Sequence, residues 1–291
     1  MFFFKKEESN KPKRFVVVLG SSPLAMFLTY ILQQNNIEVE VLTSMDKVKK
    51  QDEYVFKSNI QSQNFSFKSV RFLEKKPEYC FVASSFNEYK NDLLLLADNI
   101  FKDVKIVNFS SFYNREIIKQ MEGIKEIRAY FNGWLVKNKK EVVLLNRSSE
   151  IKVCCKVEML SDLQVLLNDK RLDVKIEKNS KKLFLQNLIP WFLGNLLVLS
   201  YQRNITELLA NNEVRQEVSS VVKEILQLLG CNDNLVDEAS VLPNIYAFPD
   251  NFVSEFASDR GVLILSEIIK GINGFDTPKT FKLIASAIKK Y

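Results

Sequence analysis

Residues 15–43, FVVVLGSSPLAMFLTYILQQNNIEVEVLT, constrain the fold more than any other stretch. Residues 15–19 form an apolar, β-branched run that stops at Gly20, the pattern of a strand covered on both faces. Pro23 stands where a first helical residue would, and its missing N–H costs nothing there. Leu24, Phe27, Leu28, Ile31 and Leu32 follow at helical spacing. Asn35-Asn36 ends the helix, and residues 37–42 give a second strand. This is a βαβ opening. Its turn offers a helix N-terminus to the pyrophosphate of a dinucleotide.

The turn carries a degraded G-x-G-x-x-G, with Gly20, Ser22 and Ala25 in the three glycine positions. Gly20 still permits the tight turn. Ser22 puts a side chain where the backbone should come closest to phosphate. Ala25 is an accepted third position for close helix–strand packing. Two readings stand: a working nucleotide site built on Gly20, Ser21, Ser22, Pro23 and Leu24, or a Rossmann core that has lost its ligand.

The chain has no histidine, which excludes Ser–His and Cys–His mechanisms and the usual general base. Acid–base chemistry would fall to Lys, Asp, Glu, Tyr or Cys. Cys80, Cys154, Cys155 and Cys231 show no C-x-x-C spacing, which argues against a metal site or a disulfide framework and suits a reducing, cytoplasmic compartment. The net charge of +6 is modest and spread out, so nucleic acid is not an expected partner. A length of 291 residues exceeds what one compact core usually takes and points to two domains. Residues 1–13 are expected to form a disordered tail, because their apolar opening is too short for a signal peptide and no small-residue cleavage site follows.

After the second strand, NAD-binding folds usually place an acid and NADP-binding folds a basic group. Here Thr43 and Ser44 are neutral, Asp46 comes late, and Lys47, Lys49 and Lys50 follow. That leans towards NADP; the alternative is a solvated lysine-rich loop. Residues 53–72 alternate loosely and suggest short strands. Residues 79–83 give a third apolar strand ending in Ser84-Ser85, residues 92–101 a helix, and residues 104–109 a fourth strand ending in Ser110-Ser111. Hydroxyl residues at strand ends fit the carboxyl edge of an open parallel sheet, where ligands bind, although serine is also an ordinary turn residue. Residues 116–123 suggest a short helix, and residues 126–134 and 141–146 suggest antiparallel additions to the sheet. Residues 161–168 suggest a helix capped by Ser161 or Asp162, and residues 172–176 a further strand.

Residues 178–182 are polar and charged, and the domain junction is placed there, dividing residues 14–178 from residues 179–291. Beyond it the chain is helical. Residues 188–201 carry no charge but number only fourteen, too few for a membrane span and typical of a buried core helix. Residues 213–229 form an amphipathic helix ended by Gly230. Residues 259–272 form another, and Thr277-Pro278 opens a last helix running to Lys290.

The segment Asn187-Leu-Ile-Pro-Trp191-Phe-Leu-Gly-Asn195-Leu-Leu resembles the ketopantoate reductase signature K-x-x-x-N-x-x-x-N-x-L. Ala247-Phe248-Pro249-Asp250 and Gly274-Phe275-Asp276-Thr277-Pro278 resemble two further segments of that family. The resemblance covers the chain from Arg14 onward. It implies a Rossmann-type α/β domain followed by an all-α domain like the C-terminal domain of 6-phosphogluconate dehydrogenase. It also implies an NADPH-dependent reduction of a 2-oxo acid, ketopantoate to pantoate in pantothenate biosynthesis. The family often dimerises through its helical half, so a homodimer is a further expectation.

The departures are chemical. The family's proton-donating lysine aligns with Asn187, its first substrate asparagine with Trp191, and its second with Asn195. Its glutamate aligns with Ser258, beside Asp259. Its basic residue after the second strand aligns with Ser44, its cofactor-facing lysine with Ser85, and its asparagine after the fourth strand with Ser110. At about 100° per residue, Lys182 lies about 140° and Lys181 about 120° off the stripe of Asn187, Trp191 and Asn195. Neither lysine replaces the lost donor from a regular helix, although a frayed first turn would bring Lys182 closer. Asn187 can polarise a carbonyl but cannot yield a proton, leaving water or Asp259 to supply it. Three readings follow: a divergent reductase of that type with Asn187, Asn195 and Asp259 around its substrate, a non-catalytic descendant that senses a ligand or contacts a protein, and a reductase acting on a different and less acidic substrate.

The lysines around Lys47 generate the first prediction. NADPH binds more tightly than NADH in a titration of nicotinamide fluorescence. Equal affinity for the two removes the basis for NADP preference.

Overall fold

In a computed structural model, the protein is described over residues 14–43, 51–85, 88–99, 101, 103–110, 125–146, 149–228, 254, 256–272 and 277–291. The first strand, β1 (Phe15–Leu19), is buried at every residue, as its unbroken apolar run requires. It leads into α1 (Pro23–Gln34) and β2 (Glu38–Leu42), which pairs parallel to β1. A hairpin of β3 (Asp52–Ser58) and β4 (Gln61–Val70) comes next, with β4 parallel to β2. Then come β5 (Tyr79–Val82), α2 (Tyr89–Asn99), β6 (Lys105–Asn108), β7 (Lys125–Asn132), β8 (Leu135–Asn138), β9 (Glu141–Leu144), β10 (Ser149–Cys154), α3 (Val157–Leu166) and β11 (Leu172–Ile176).

All eleven strands join in one sheet, ordered β11-β10-β7-β6-β5-β1-β2-β4-β3-β9-β8. The run β4-β2-β1-β5-β6-β7 is parallel throughout and has the doubly wound strand order, reversing between β1 and β5. Residues 126–134 were expected to add antiparallel; instead β7 lies parallel to β6 and is antiparallel only to β10. β9 is antiparallel to β8 and parallel to β3. Alternation within a strand fixes which face is buried but not the direction of its neighbour, so that error is a natural one. The expected helix at residues 116–123 lies outside the described residues.

The sheet cannot be flat. β7 and β8 are eight positions apart in the order, which is about 38 Å at the usual strand spacing. Only Gly133 and Trp134 join them, a link reaching about 11 Å. The far edge therefore curls back over α1, which touches β1 and β2 on one side and β8 and β9 on the other. The helix has the composition for that position. Ala25 to Leu32 are all buried, so it has no solvent face in its middle. Tyr30 stacks on Phe56 at 4.3 Å, and Phe27 packs on Phe56 at 5.6 Å and on Phe131 at 5.7 Å.

The cap expected at Ser161 or Asp162 is not there. α3 starts four residues earlier, after Lys156, with no side-chain cap. Asp162 is used to tie the helix to the sheet: it pairs with Arg14 at 2.7 Å and accepts from the Tyr79 hydroxyl at 2.6 Å. Burial pushes the Asp162 carboxyl up, but those two hydrogen bonds and the Arg14 charge outweigh it and hold it below the ordinary carboxylate range.

After β11 every described element is a helix: α4 (Ser180–Tyr201), α5 (Ile205–Ala210), α6 (Asn212–Leu228), α7 (Asp259–Ile272) and α8 (Pro278–Lys290). They share a second core around Ile189, Leu193, Leu196, Leu197, Val221, Leu265 and Ile284. Among the described residues α4 alone is long and apolar enough, by length and composition, to cross a membrane, once the residues before the uncharged run are included. Its apolar window is 71% buried within the structure, as for a core helix. Thr277 precedes Pro278 as expected but makes no side-chain cap. The Glu224 carboxylate of α6 does that work, accepting from the N–H groups of Lys279 at 3.2 Å and Thr280 at 2.7 Å.

The burial of α1 generates the second prediction. Phe27→Ala lowers the unfolding free energy by about 3–5 kcal/mol in urea denaturation. A loss under about 1 kcal/mol would mean that α1 is not enclosed as described.

Candidate functional site

Gly20 sets the geometry of the β1–α1 turn. Its φ is +109°, and a Cβ placed there would lie 2.6 Å from the Ser84 Cα. Its N–H donates to the Leu42 carbonyl at 3.1 Å, so the turn is held between the ends of β2 and β5. Ser22 is the N-cap of α1: its Oγ accepts from the Ala25 N–H at 3.1 Å and donates to the Ala83 carbonyl. Pro23 follows at the first helical position.

At this edge lies a cleft of about 260 Å³. Ser22, Pro23 and Leu24 form one wall; Ala83, Ser84 and Ser85 after β5, and Phe109 and Ser110 after β6, form its floor. Phe131, Gly133, Trp134 and Leu135 close it from the β7–β8 link, and Trp191 of α4 from the helical side. Trp134 and Trp191 are the only tryptophans in the chain. Trp191 is held edge-on by Phe256, with ring centroids 5.0 Å apart. The Ser84 Oγ is buried and has no hydrogen-bond partner among the described residues. None of the described lining residues carries a side chain that ionises near neutral pH. The cleft can hold a flat, uncharged group between aromatic walls and offer it hydroxyls, and Ser84 is the hydroxyl still free to bond it.

Next to the cleft a carboxylate faces the turn. Glu88 accepts from the Ser21 hydroxyl at 2.7 Å and from the Ser85 hydroxyl at 2.9 Å. Lys137 of β8 donates from Nζ to the Ser21 carbonyl at 2.8 Å. Burial pushes the Lys137 pKa down, while the Glu88 charge opposes that shift.

Of the residues singled out in the sequence, the structure brings Ser22, Pro23, Leu24, Ser84, Ser85, Ser110 and Trp191 together around one cleft, with Gly20 and Ser21 beneath it. Ser44 and Lys47 lie outside the described residues. Asn187 is on α4, one turn before Trp191, and its side chain lies outside those described. Asn195 is not among the cleft residues: it is fully buried, and its Nδ2 donates to the Trp191 carbonyl at 2.8 Å. A polar residue amid an apolar helix meets its hydrogen-bonding need locally. Ser258 and Asp259 also lie elsewhere. Ser258 accepts from the Gly261 N–H at 3.1 Å at the start of α7, and exposed Asp259 accepts from the Tyr291 hydroxyl at 2.7 Å. Lys182 pairs with Glu177 at 3.6 Å.

Sequence reading missed Glu88, Lys137 and the four lining residues at and beside the β7–β8 link, Phe131, Gly133, Trp134 and Leu135. Trp134 beside Gly133 was the available signal, because an aromatic next to a glycine between two strands marks a tight approach.

A nicotinamide dinucleotide fits this site unevenly. The unpartnered Ser84 Oγ and the apolar walls suit its nicotinamide end. At the pyrophosphate end Pro23 has no N–H, the Ala25 N–H is already bonded to Ser22, and Glu88 is acidic. Of these obstacles, the Glu88 side chain is the one a ligand can displace.

The third prediction separates packing from ligand recognition. Gly20→Ala destabilises the fold by more than about 1 kcal/mol, because of its positive φ and the contact with Ser84. Ser84→Ala changes stability by less than about 0.5 kcal/mol, since its hydroxyl bonds nothing, but weakens NADH binding. Thermal unfolding and calorimetry read the two effects. A Ser84→Ala protein that loses stability with unchanged affinity would contradict this assignment.

No protein-family model matches the chain, and no curated protein sequence matches it. Solved structures do. The 2-dehydropantoate 2-reductase of Geobacter metallireducens GS-15 superposes with a TM-score of 0.75 at 14% identity, over 95% of this chain and 100% of that one. D-mandelate dehydrogenase, in a ternary structure with NADH and anilino(oxo)acetate, gives 0.73 at 15% identity over 95% and 97%. The dimeric ketopantoate reductase of Staphylococcus aureus gives 0.71 at 13% over 95% and 98%. The chain has the ketopantoate reductase fold.

Proposed function

We propose that the chain is a divergent NAD(P)H-dependent reductase of the ketopantoate reductase type, acting on a 2-oxo acid or a less acidic carbonyl compound. The observation that carries this reading is the cleft. It lies where the carboxyl ends of β1, β5 and β6 meet, beside the point where the strand order reverses, which is where open α/β sheets bind ligands. The cofactor supplies hydride when bound. Ser84, Ser85 and Ser110 orient its nicotinamide end, and Phe131, Trp134 and Trp191 exclude water from it.

Asn187 polarises the substrate carbonyl from α4. No described lining residue can give up a proton at neutral pH, so water supplies it. Without a positioned acid, turnover falls by about 10²–10⁴-fold relative to an enzyme that has one. Asn195 serves the fold of α4, and Ser258 and Asp259 serve α7; none is needed in this reading. NADPH as the preferred cofactor, a role in pantothenate biosynthesis, a homodimer built on the helical half, a cytoplasmic location and a domain boundary near residue 178 belong to the same proposal.

A second reading, a catalytically silent ligand sensor, is favoured by one observation: the described lining of the cleft has no ionisable group.

The fourth prediction decides between the two. Ketopantoate added to the protein with NADPH, or with NADH, causes slow oxidation of the nicotinamide, and Asn187→Ala lowers that rate about tenfold or more. Tight cofactor binding with no oxidation of any 2-oxo acid tested would favour the sensor.

A further inference from the structure

A helix begins at the β1–α1 turn, and its dipole favours negative charge there, although Pro23 has no N–H and the Ala25 N–H is bonded to Ser22. In this chain the negative charge comes from within. The two oxygens of Glu88 take separate hydroxyls: Ser21 belongs to the turn, and Ser85 lines the cleft. The carboxylate therefore spans the gap between turn and cleft that a pyrophosphate has to cross.

The main chain of Glu88 has a separate task. Its carbonyl accepts from the Asp92 N–H at 2.9 Å and starts α2. Lys137 is the cation on the other side of the turn, and its Nζ is bonded to the Ser21 carbonyl. With Glu88 in place the pair is balanced. With Glu88 swung out, the Ser21 and Ser85 hydroxyls are released to bond a phosphate, and Lys137 stays on the Ser21 carbonyl.

We infer that the Glu88 side chain is a built-in competitor for the anion position of the turn, and so the residue that sets how tightly this chain holds a pyrophosphate-bearing ligand. The inference deepens the reductase reading and rests on it for the identity of that ligand. Its consequence is selective. Ligands bearing a pyrophosphate must displace Glu88, whereas a ligand that fills only the aromatic cleft need not.

Calorimetric titration of the wild-type and Glu88→Gln proteins tests this, with NADH, inorganic pyrophosphate and reduced nicotinamide riboside as probes. Like charges brought together at a binding site are costly, so Glu88→Gln tightens NADH and pyrophosphate by about tenfold or more. Affinity for the riboside, which has no phosphate, stays within about twofold. Glu88→Asp keeps the charge and shortens its reach, and falls between the two proteins; it also serves if Glu88→Gln does not fold. A purely structural Glu88 would show lower thermal stability in the variants with unchanged affinity for pyrophosphate, and that result overturns the inference. If the riboside binds neither protein while the pyrophosphate gain persists, the inference stands and the reductase reading fails.

Discussion

Everything in this structure depends on the enclosure of α1. A helix with Ala25 to Leu32 buried on every side cannot rest on an open sheet with one face in water. The sheet answers by curling, and the short link of Gly133 and Trp134 brings its far edge back over the helix. The same curl carries Trp134 and Leu135 to the first turn of α1 and so builds the wall of the cleft. Packing and site are thus one event: the link that covers the helix also closes the pocket at its N-terminus.

Much of the central fold could be read from the residues, because its signals are local. The βαβ opening followed from a buried run, a proline at a helix start and a 3.6-residue rhythm, and β1, α1 and β2 stand where those signals put them. The curled edge was legible only in part. Strands were expected at residues 53–72 and 141–146, but not at β8, which is four residues long and is defined by its pairing with β9. Caps behaved alike. Ser22, next to its own helix, was legible as a residue in a special position, whereas the cap of α8 comes from Glu224, more than fifty residues earlier in the chain.

The candidate site shows the same division. The serines after β5 and β6 line one cleft, as strand-end residues of a doubly wound sheet should. Glu88 was invisible because nothing near it in the sequence says that its side chain turns back to Ser21. The helical half misled for a different reason. A matching spacing of Asn187, Trp191 and Asn195 puts three residues on one stripe, but the stripe dips into the core within two turns, and Asn195 is already fully buried. Of that stripe, Trp191 lines the cleft and Asn195 does not. The result is a cleft at the carboxyl edge of a doubly wound sheet whose described lining carries no side chain that ionises near neutral pH.

The central claim is that the cleft beside Trp134 and Trp191 is where the nicotinamide end of a ligand sits. Both tryptophans of the chain line it, so the protein carries its own reporter. The most direct test follows intrinsic tryptophan emission as NADH is added. The account predicts saturable quenching of tryptophan with sensitised nicotinamide emission, reduced when Trp191 is replaced by Phe. Tryptophan emission that stays unchanged while calorimetry records NADH binding would put the ligand elsewhere and contradict it.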